Sequence, residues 1–241
     1  MRIVVIIPAL DEERSLPKVL AEIPRSLASE VVVVDNGSRD RTSEVAKAAG
    51  ATVLSEPREG YGQACLTGIA YLAEEPPEVV VFVDGDYSDR AAEMTGLLEP
   101  ILEGRADFVV GSRVLGQRER GALAPQARWG NWLATRLLHA LYGYRFTDLG
   151  PFRAIRYETL LTLDMQDRDY GWTAEMQAKA ARSSVRSTEV PVSYHRRIGK
   201  SKITGTVKGT VMAGYKILTT ILRLRVEGAL GPRTREQKIH A

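Results

Sequence analysis

Short apolar runs alternate with longer segments of mixed polarity over the first 110 residues. The runs are rich in β-branched residues and continuously apolar, which is typical of strands buried on both faces of a parallel sheet. The predicted strands cover residues 3–7, 31–34, 52–54, 79–83 and 108–110. Helices are predicted between them at 14–26, 41–49, 61–74 and 90–103. This order predicts an α/β fold with a mostly parallel sheet.

The pattern changes after residue 111, where amphipathic helices become longer. A helix over 128–144 carries Trp129 and Trp132, and a last helical stretch covers 203–226. The elements predicted between them are a short segment at 151–156, helices at 157–163 and 173–182, and a strand at 188–193. We expect one domain with a front half over 1–110 and a back half over 111–226, followed by a flexible tail over 227–241.

The charge is divided unevenly between these halves. The chain is 44% apolar and 26% charged, which disfavours collagen-like, disordered and disulfide-scaffold classes. The net charge is only +3, but the two halves differ in sign. Residues 1–110 contain 10 Lys and Arg and 20 Asp and Glu, whereas residues 111–241 contain 23 Lys and Arg and 10 Asp and Glu. An acidic front half and a basic back half indicate two different ligand-binding roles.

The single cysteine, Cys65, excludes an internal disulfide and fits a reducing compartment. We see no signal peptide and no spanning helix, since the best candidate, 211–226, contains Lys216, Arg223 and Arg225. The aromatic and basic residues of the two long helices favour peripheral association with a membrane surface, although core packing gives the same pattern. We therefore expect a cytoplasmic protein, peripheral on the inner face of the membrane.

Acidic loops follow three of the predicted strands, at 8–13, 35–42 and 84–86. Ligands of parallel α/β folds bind outside the carboxyl ends of the strands. For each loop alone a capped turn is the alternative. Asp84 and Asp86 repel each other unless a cation compensates, and Gly85 between them leaves room for a ligand. This pair predicts a site for Mg²⁺ or Mn²⁺ that bridges to a diphosphate.

Three motifs occur in order along the front half. They are Pro-Ala-Leu-Asp-Glu-Glu at 8–13, Val-Val-Asp-Asn-Gly-Ser-Arg-Asp-Arg-Thr at 33–42 and Asp-Gly-Asp at 84–86. Together they resemble the motifs of glycosyltransferase family 2, which has the GT-A fold. Those at 111–113, 148–153 and 196–202 resemble its dolichyl- and polyprenyl-phosphate glycosyltransferase branch. The resemblance covers about residues 2–205. It implies a Rossmann-like, mostly parallel sheet flanked by helices, in a single domain with C-terminal amphipathic helices.

The resemblance also implies an activity. The expected enzyme is an inverting, metal-dependent glycosyltransferase that moves a hexose from a nucleotide diphosphate-sugar to polyprenyl or dolichyl phosphate. UDP-glucose is the preferred donor and GDP-mannose the next, because Ser88 stands where related mannosyl transferases often carry Gln. By the resemblance Asp35 contacts the base, Asp84 the ribose or sugar, and Asp86 the metal. The implied donor-binding residues are Pro8, Ala9, Leu10, Glu12, Asp35, Gly37, Asp84 and Gly85.

The basic half supplies candidates for binding phosphate and for catalysis. Arg113 follows the fifth strand, so we expect it near the crevice, where cations stabilise a departing diphosphate. The charged run 195–202 contains Gly199 and a serine and predicts a phosphate-binding loop. The residues assigned to acceptor or phosphate binding are Arg153, Arg196, Lys200, Ser201 and Lys202. His195 is a candidate additional metal ligand, although a lone histidine is more often structural.

Two further carboxylates, Asp148 and Glu175, complete the candidate catalytic set with Asp86 and Arg113. A hydroxyl acceptor needs a carboxylate base, whereas a phosphate acceptor is already anionic. Glu175 is therefore expected to matter little if the acceptor is a polyprenyl phosphate.

Other functions remain open on the sequence. One is a soluble family 2 enzyme with a small hydroxyl or phosphorylated acceptor. Another is nucleic-acid binding by the basic half, although no recognised nucleic-acid motif is present. A third is a degenerate transferase that serves as a binding subunit, against which the intact Asp84 and Asp86 pair argues.

Overall fold

A computed structural model describes residues 1–199 and 207–229. Its centre is a seven-stranded sheet with the order β3-β2-β1-β4-β6-β5-β7. The strands are β1 Ile3–Ala9, β2 Glu30–Asp35, β3 Thr52–Ser55, β4 Val79–Phe82, β5 Phe108–Ser112, β6 Arg153–Arg156 and β7 Ser187–Pro191. All neighbours pair in parallel except β6, which is antiparallel to β4 and β5. The predicted mostly parallel α/β sheet is confirmed.

Eight α-helices surround the sheet in the described part of the chain. They are α1 Leu16–Glu22, α2 Thr42–Ala48, α3 Tyr61–Tyr71, α4 Met94–Leu102, α5 Pro125–Tyr142, α6 Tyr157–Leu163, α7 Trp172–Arg182 and α8 Val207–Ala229. A 3₁₀ turn at Ala91–Glu93 precedes α4. Helix α8 continues past the predicted end at 226, so residues 227–229 are helical rather than part of a tail. The rest of the predicted tail, 230–241, lies outside the described residues.

Apolar side chains leave both faces of the sheet, as the continuous apolar runs predict. In β1, Val4 and Ile6 join one buried cluster, which also contains Trp172 of α7. Val5 and Ile7 point the other way and join a second cluster with α1 and α4. Successive residues of a strand face opposite sides, so both layers of helices are held by the same short segments.

Strand β6 joins the two predicted halves of the chain. It belongs to the back half but lies between β4 and β5, pairing Ala154 with Val81 on one side and with Val109 on the other. Helix α5 packs against α7 and α8, and the Tyr142 hydroxyl donates to the Ile221 carbonyl at 2.7 Å. The back half therefore contributes strands to the same sheet and a packed group of helices, α5, α7 and α8.

Candidate active site

A cavity of about 210 Å³ lies where the acidic loops after β1 and β4 meet. Four predicted donor-binding residues from the first loop and the whole Asp-Gly-Asp segment line it. Its lining residues are Pro8, Ala9, Leu10, Glu12, Asn36, Glu59, Gly60, Tyr61, Asp84, Gly85, Asp86, Tyr170 and Arg197. The carboxyl ends of parallel strands share one sheet edge, which is why loops distant in sequence converge here.

The loop after β2 supports the cavity more than it lines it. The Asp35 carboxylate accepts the Ser38 amide at 2.9 Å and the Ser43 hydroxyl. Burial opposes ionisation of Asp35, but these hydrogen bonds outweigh it and lower the pKa. Gly37, with φ of 86°, completes the turn. Neither Asp35 nor Gly37 lines the cavity, and the loop presents Asn36 to it instead, a residue that the motif comparison did not select.

Asp84 lies at the floor of the cavity. The Tyr61 hydroxyl donates to its Oδ1 atom at 3.0 Å. Burial and the neighbouring Asp86 carboxylate raise the pKa of Asp84 to about 7. Tyr61 is held there because α3 packs closely on a loop before α7, where a Cβ on Gly62 would lie 2.1 Å from the Asp167 carbonyl oxygen. Sequence reasoning missed Tyr61, since only the fold brings α3 to the Asp-Gly-Asp loop.

Asp86 connects the acidic loop to the basic half. Its Oδ1 accepts the Ser88 amide at 2.9 Å, and its Oδ2 lies 2.8 Å from Nη1 of Arg197. The amides of His195 and Ile198 donate to the carbonyls of Ser88 and Asp86 at 2.8 and 2.9 Å. The predicted basic loop therefore begins directly on the acidic one, and Arg197 is the arginine that faces the cavity.

The carboxylates fit a divalent cation. Within residues 1–199 and 207–229, no three His, Cys, Asp or Glu side chains are grouped so as to hold a metal ion alone. Mg²⁺ is usually held by one or two carboxylates together with substrate phosphates and water. Burial and the neighbouring Asp86 carboxylate both disfavour the ionised form of Asp84 and raise its pKa, and a bound cation would favour the ionised form of both side chains. Asp84 and Asp86 are therefore suited to a cation that arrives with a diphosphate.

A second cavity of about 230 Å³ adjoins the first, and both are lined by Tyr61, Asp84, Tyr170 and Arg197. Arg113 adds a second guanidinium to its wall. Much of the remaining wall is apolar and comes from α5 and α8, from the segment before α5 and from the loop before β6. These apolar residues are Leu123, Ala127, Leu149, Pro151, Ala213 and Ile217. The second cavity therefore combines two cations with a hydrocarbon-like surface.

Arg113 is fixed in place by Asp148. Its Nε and Nη2 atoms donate to the two carboxylate oxygens at 2.8 and 2.7 Å, and its amide donates at 2.7 Å. The guanidinium also lies 5.0 Å from the centre of the Tyr194 ring. Asp148 is fully buried and lines neither cavity, so it positions Arg113 rather than contacting a ligand.

Glu175 lies away from the cavities, contrary to its predicted catalytic place. It is fully buried, and its carboxylate accepts the amides of Gln166 and Asp167 at 3.1 and 2.7 Å. Nζ of Lys179 lies 2.8 Å from its Oε1. The carboxylate thus holds the loop before α7 and lines neither cavity.

Arg153 is also withdrawn from solvent. It is fully buried, donates to the carbonyls of Gly150 and Thr173, and lines neither cavity. Burial lowers its pKa to about 10. The guanidinium that was predicted to contact an acceptor phosphate therefore faces neither cavity. Arg153 instead ties the loop before β6 to α7.

Two members of the predicted basic loop face away from the cavities. Arg196 donates to the Arg120 carbonyl at 2.7 Å and lies 3.4 Å from Glu119. Nδ1 of His195 lies 3.8 Å from the same Glu119 carboxylate, and His195 does not reach the carboxylate pair. The other predicted members of this loop, Lys200, Ser201 and Lys202, lie outside the described residues.

Comparison with known proteins agrees with this geometry. The glycosyl transferase family 2 model matches residues 4–163. An uncharacterized glycosyltransferase of Mycobacterium tuberculosis is 38% identical over 213 residues, covering 88% of this chain and 94% of the relative. A dolichyl-phosphate hexose transferase of Haloferax volcanii is 32% identical over 225 residues, covering 92% and 95%. The same fold occurs in the crystal structure of glucosyl-3-phosphoglycerate synthase from Mycobacterium tuberculosis in complex with Mn²⁺, UDP-glucose and phosphoglyceric acid. The TM-score is 0.72 at 23% identity, and the match covers 93% of this chain and 80% of the synthase chain.

Proposed function

The chain belongs to glycosyltransferase family 2 and is a glycosyltransferase, and from this premise we propose its substrates. The proposed reaction moves a hexose from a nucleotide diphosphate-sugar to polyprenyl or dolichyl phosphate, with inversion at the anomeric carbon. UDP-glucose is the preferred donor and GDP-mannose the next. The observation that carries the proposal is the pair of adjoining cavities, one lined by Asp84 and Asp86 and the other by two arginines and apolar side chains.

The first cavity is assigned to the donor. Pro8, Leu10 and Glu12 line this cavity and would border the nucleotide, and Asp84 and Asp86 would hold Mg²⁺ or Mn²⁺ beside its diphosphate. When bound, the cation supplies Lewis-acid stabilisation of the negative charge that builds on the leaving diphosphate. Tyr61, which donates a hydrogen bond to Asp84, orients that carboxylate toward the boundary of the two cavities.

The second cavity is assigned to the acceptor phosphate. Asp84 is the one carboxylate among the described residues that line this cavity, and it is already assigned to the cation of the donor site. A phosphate acceptor is anionic near neutral pH and attacks without a base, whereas a hydroxyl acceptor requires one. Arg113 and Arg197 provide the positive charge that such an anion needs. This distribution favours a phosphate acceptor and agrees with the structural role of Glu175.

A small phosphorylated acceptor is the second candidate. It presents the same anion to Arg113 and Arg197, which line the second cavity. Separately, none of the helices in the described part of the chain qualifies as a membrane span. The apolar walls from α5 and α8 favour the lipid, because a small polar acceptor would leave them without a partner. Membership of an enzyme family favours transfer over nucleic-acid binding. The intact Asp84 and Asp86 pair in the first cavity argues against a degenerate subunit.

A donor screen tests the assignment of the first cavity. Purified protein is incubated with UDP-glucose, UDP-galactose, GDP-mannose and GDP-glucose in Mn²⁺ or Mg²⁺, and release of the nucleotide diphosphate is followed. We expect UDP-glucose to be hydrolysed fastest, with GDP-mannose second, and EDTA to stop the release. Hydrolysis that is equally fast in EDTA would contradict the assigned role of Asp84 and Asp86.

A surface near the acceptor cavity fits a membrane. A groove of about 760 Å³ along α5 shares Leu123 and Asn131 with that cavity. Arginines and tryptophans line it, without a carboxylate among the described lining residues. Trp129 and Trp132 are 63% and 52% exposed. The charged and aromatic lining residues are Arg118, Arg128, Arg136, Arg145, His139, Trp129, Trp132 and Phe146. We propose that this face docks on anionic lipid headgroups, with the tryptophans at the interface.

Replacing both tryptophans, Trp129→Ser with Trp132→Ser, is expected to weaken binding to phosphatidylglycerol vesicles about 10-fold or more, because two interfacial anchors are lost. Vesicle flotation at low salt measures this, and high salt should release the parent protein. Leu161→Ser is the matched control, since Leu161 is 53% exposed on α6 and is not part of the groove. Equal flotation of the double variant and the parent would contradict the assigned face.

A further inference from the structure

Arg197 occupies the side of Asp86 from which a cation would approach. Its Nη1 atom lies 2.8 Å from Oδ2 of Asp86, while Oδ1 is taken by the Ser88 amide. Asp86 is 5% exposed, so few other directions of approach are open. A divalent cation that binds Oδ2 of Asp86 would therefore compete with the guanidinium of Arg197 for that oxygen.

The guanidinium can leave Asp86 without a change in the backbone. The amides of His195 and Ile198 hold the segment to the carbonyls of Ser88 and Asp86, so its position does not depend on the ion pair. Among the described residues, the guanidinium also contacts the Tyr194 hydroxyl at 3.5 Å, which is at the limit of a hydrogen bond. The Arg197 side chain is 32% exposed, which leaves space for it to rotate.

Arg197 also lies at the boundary of the two cavities and lines both. The other arginine of the acceptor cavity, Arg113, is held by both oxygens of a fully buried Asp148 and has little freedom. Among the residues that the structure describes, the site therefore contains one fixed guanidinium and one that pairs with a single carboxylate oxygen. The second is placed where both the leaving diphosphate and the incoming phosphate would pass.

We infer that Arg197 is an exchangeable counter-ion of Asp86. It neutralises the carboxylate while no divalent cation is bound, and cation binding displaces it toward the phosphate oxygens at the boundary of the cavities. This inference rests on the proposed function, which assigns the cation to Asp86. A metal ion that binds alone displaces the Arg197 guanidinium into solvent. When the donor is also bound, its diphosphate gives the guanidinium a new anionic partner. The exchange therefore makes metal and donor bind cooperatively.

Binding of Mn²⁺ alone, followed by the electron paramagnetic resonance of free Mn²⁺, tests the exchange. Arg197→Gln is expected to bind Mn²⁺ about 10-fold more tightly than the parent, because the guanidinium no longer competes with the cation for the Asp86 carboxylate. A 10-fold change in affinity equals about 1.4 kcal/mol. In saturating Mn²⁺ the same variant is expected to bind UDP about 10-fold more weakly, since a charge-assisted contact is lost. A residue with a purely structural role would move both affinities in the same direction.

Arg90→Gln is the matched control, because it removes the same charge close to the same loop. Its guanidinium pairs with Glu22 at 3.4 Å and lines neither cavity. A gain in Mn²⁺ affinity that Arg90→Gln shares with Arg197→Gln would be a long-range charge effect and would overturn the exchange. The exchange would also be overturned if Arg197→Gln bound Mn²⁺ no more tightly than the parent, or if neither protein bound Mn²⁺.

Asp86→Asn separates this inference from the proposed function. If Asp86→Asn abolishes the Mn²⁺ binding seen in the parent and in Arg197→Gln, the metal assignment stands, and the Arg197 comparison alone decides the exchange. If Asp86→Asn binds Mn²⁺ as tightly as the parent, the metal assignment of the proposed function fails, and the exchange fails with it. Thermal melting of each variant shows whether the fold is kept.

Discussion

Replacing Asp86 by asparagine is expected to lower the rate of hexose transfer about 10³-fold, the upper range for loss of one electrostatic group in an active site. The substitution keeps the shape of the side chain, and the asparagine carbonyl can still accept the Ser88 amide. It removes the charge that would hold a divalent cation and that pairs with Arg197. Initial rates at saturating donor and metal, together with Mn²⁺ binding, measure the effect.

Asp107→Asn is the matched control for this substitution. Asp107 precedes β5, at the opposite edge of the sheet, and its carboxylate pairs with Arg156 and Arg186 at the surface. We expect its transfer rate to stay within about 2-fold of the parent, as is usual for a surface change away from the site. An Asp86→Asn enzyme that kept more than about a tenth of the parent rate would be inconsistent with a metal-bearing Asp86, given the 10²- to 10³-fold range for such groups.

Glu175→Ala is expected to have the largest effect on stability, about 3–5 kcal/mol, because breaking a buried ion pair leaves an uncompensated charge. The charge left behind is that of Lys179, and the amides of Gln166 and Asp167 lose their acceptor. Such a loss is a large part of the about 5–15 kcal/mol that typically stabilises a folded protein. Urea unfolding at low temperature measures it.

Glu175→Gln distinguishes this structural role from catalysis. The glutamine keeps one carbonyl oxygen for the loop amides, so we expect a smaller loss of stability and a folded protein at low temperature. Its kcat per folded molecule should stay within about 3-fold of the parent, because a general base contributes about 10²-fold or more, whereas Glu175 is buried and lines neither cavity. A stable Glu175→Gln enzyme without activity would restore the predicted role as a base.

The sequence predicted the sheet well because buried parallel strands are short, apolar and β-branched. All five front-half strands occur within two residues of the predicted ends, and α6 at Tyr157–Leu163 matches its predicted range. The antiparallel direction of β6 could not be predicted, because its residues carry no signal for the direction in which a strand enters a sheet. Helix α1 was predicted too long, since it stops at Glu22 ahead of Pro24, which cannot continue a helix hydrogen-bond ladder.

The site was predictable wherever function follows from position along a strand. Asp84 and Asp86 lie at the sheet edge because they follow β4, and the loop at 8–13 is placed by the end of β1. Side-chain direction was not predictable from a run of charges. Neighbouring residues of an irregular segment face different neighbours, so Arg196 contacts Glu119 while Arg197 contacts Asp86. The burial of Arg153 and Glu175 likewise depends on packing between α7 and the loops around it.

The most direct test of the proposed function is where the sugar goes. Protein, UDP-[¹⁴C]glucose and Mn²⁺ are incubated with undecaprenyl phosphate in detergent, or with 3-phosphoglycerate, and the label is partitioned between butanol and water. We predict that label enters the butanol phase only with the lipid phosphate and that mild acid releases it as glucose. Label that stays in water with the lipid but forms an anionic product with 3-phosphoglycerate would contradict a polyprenyl-phosphate acceptor.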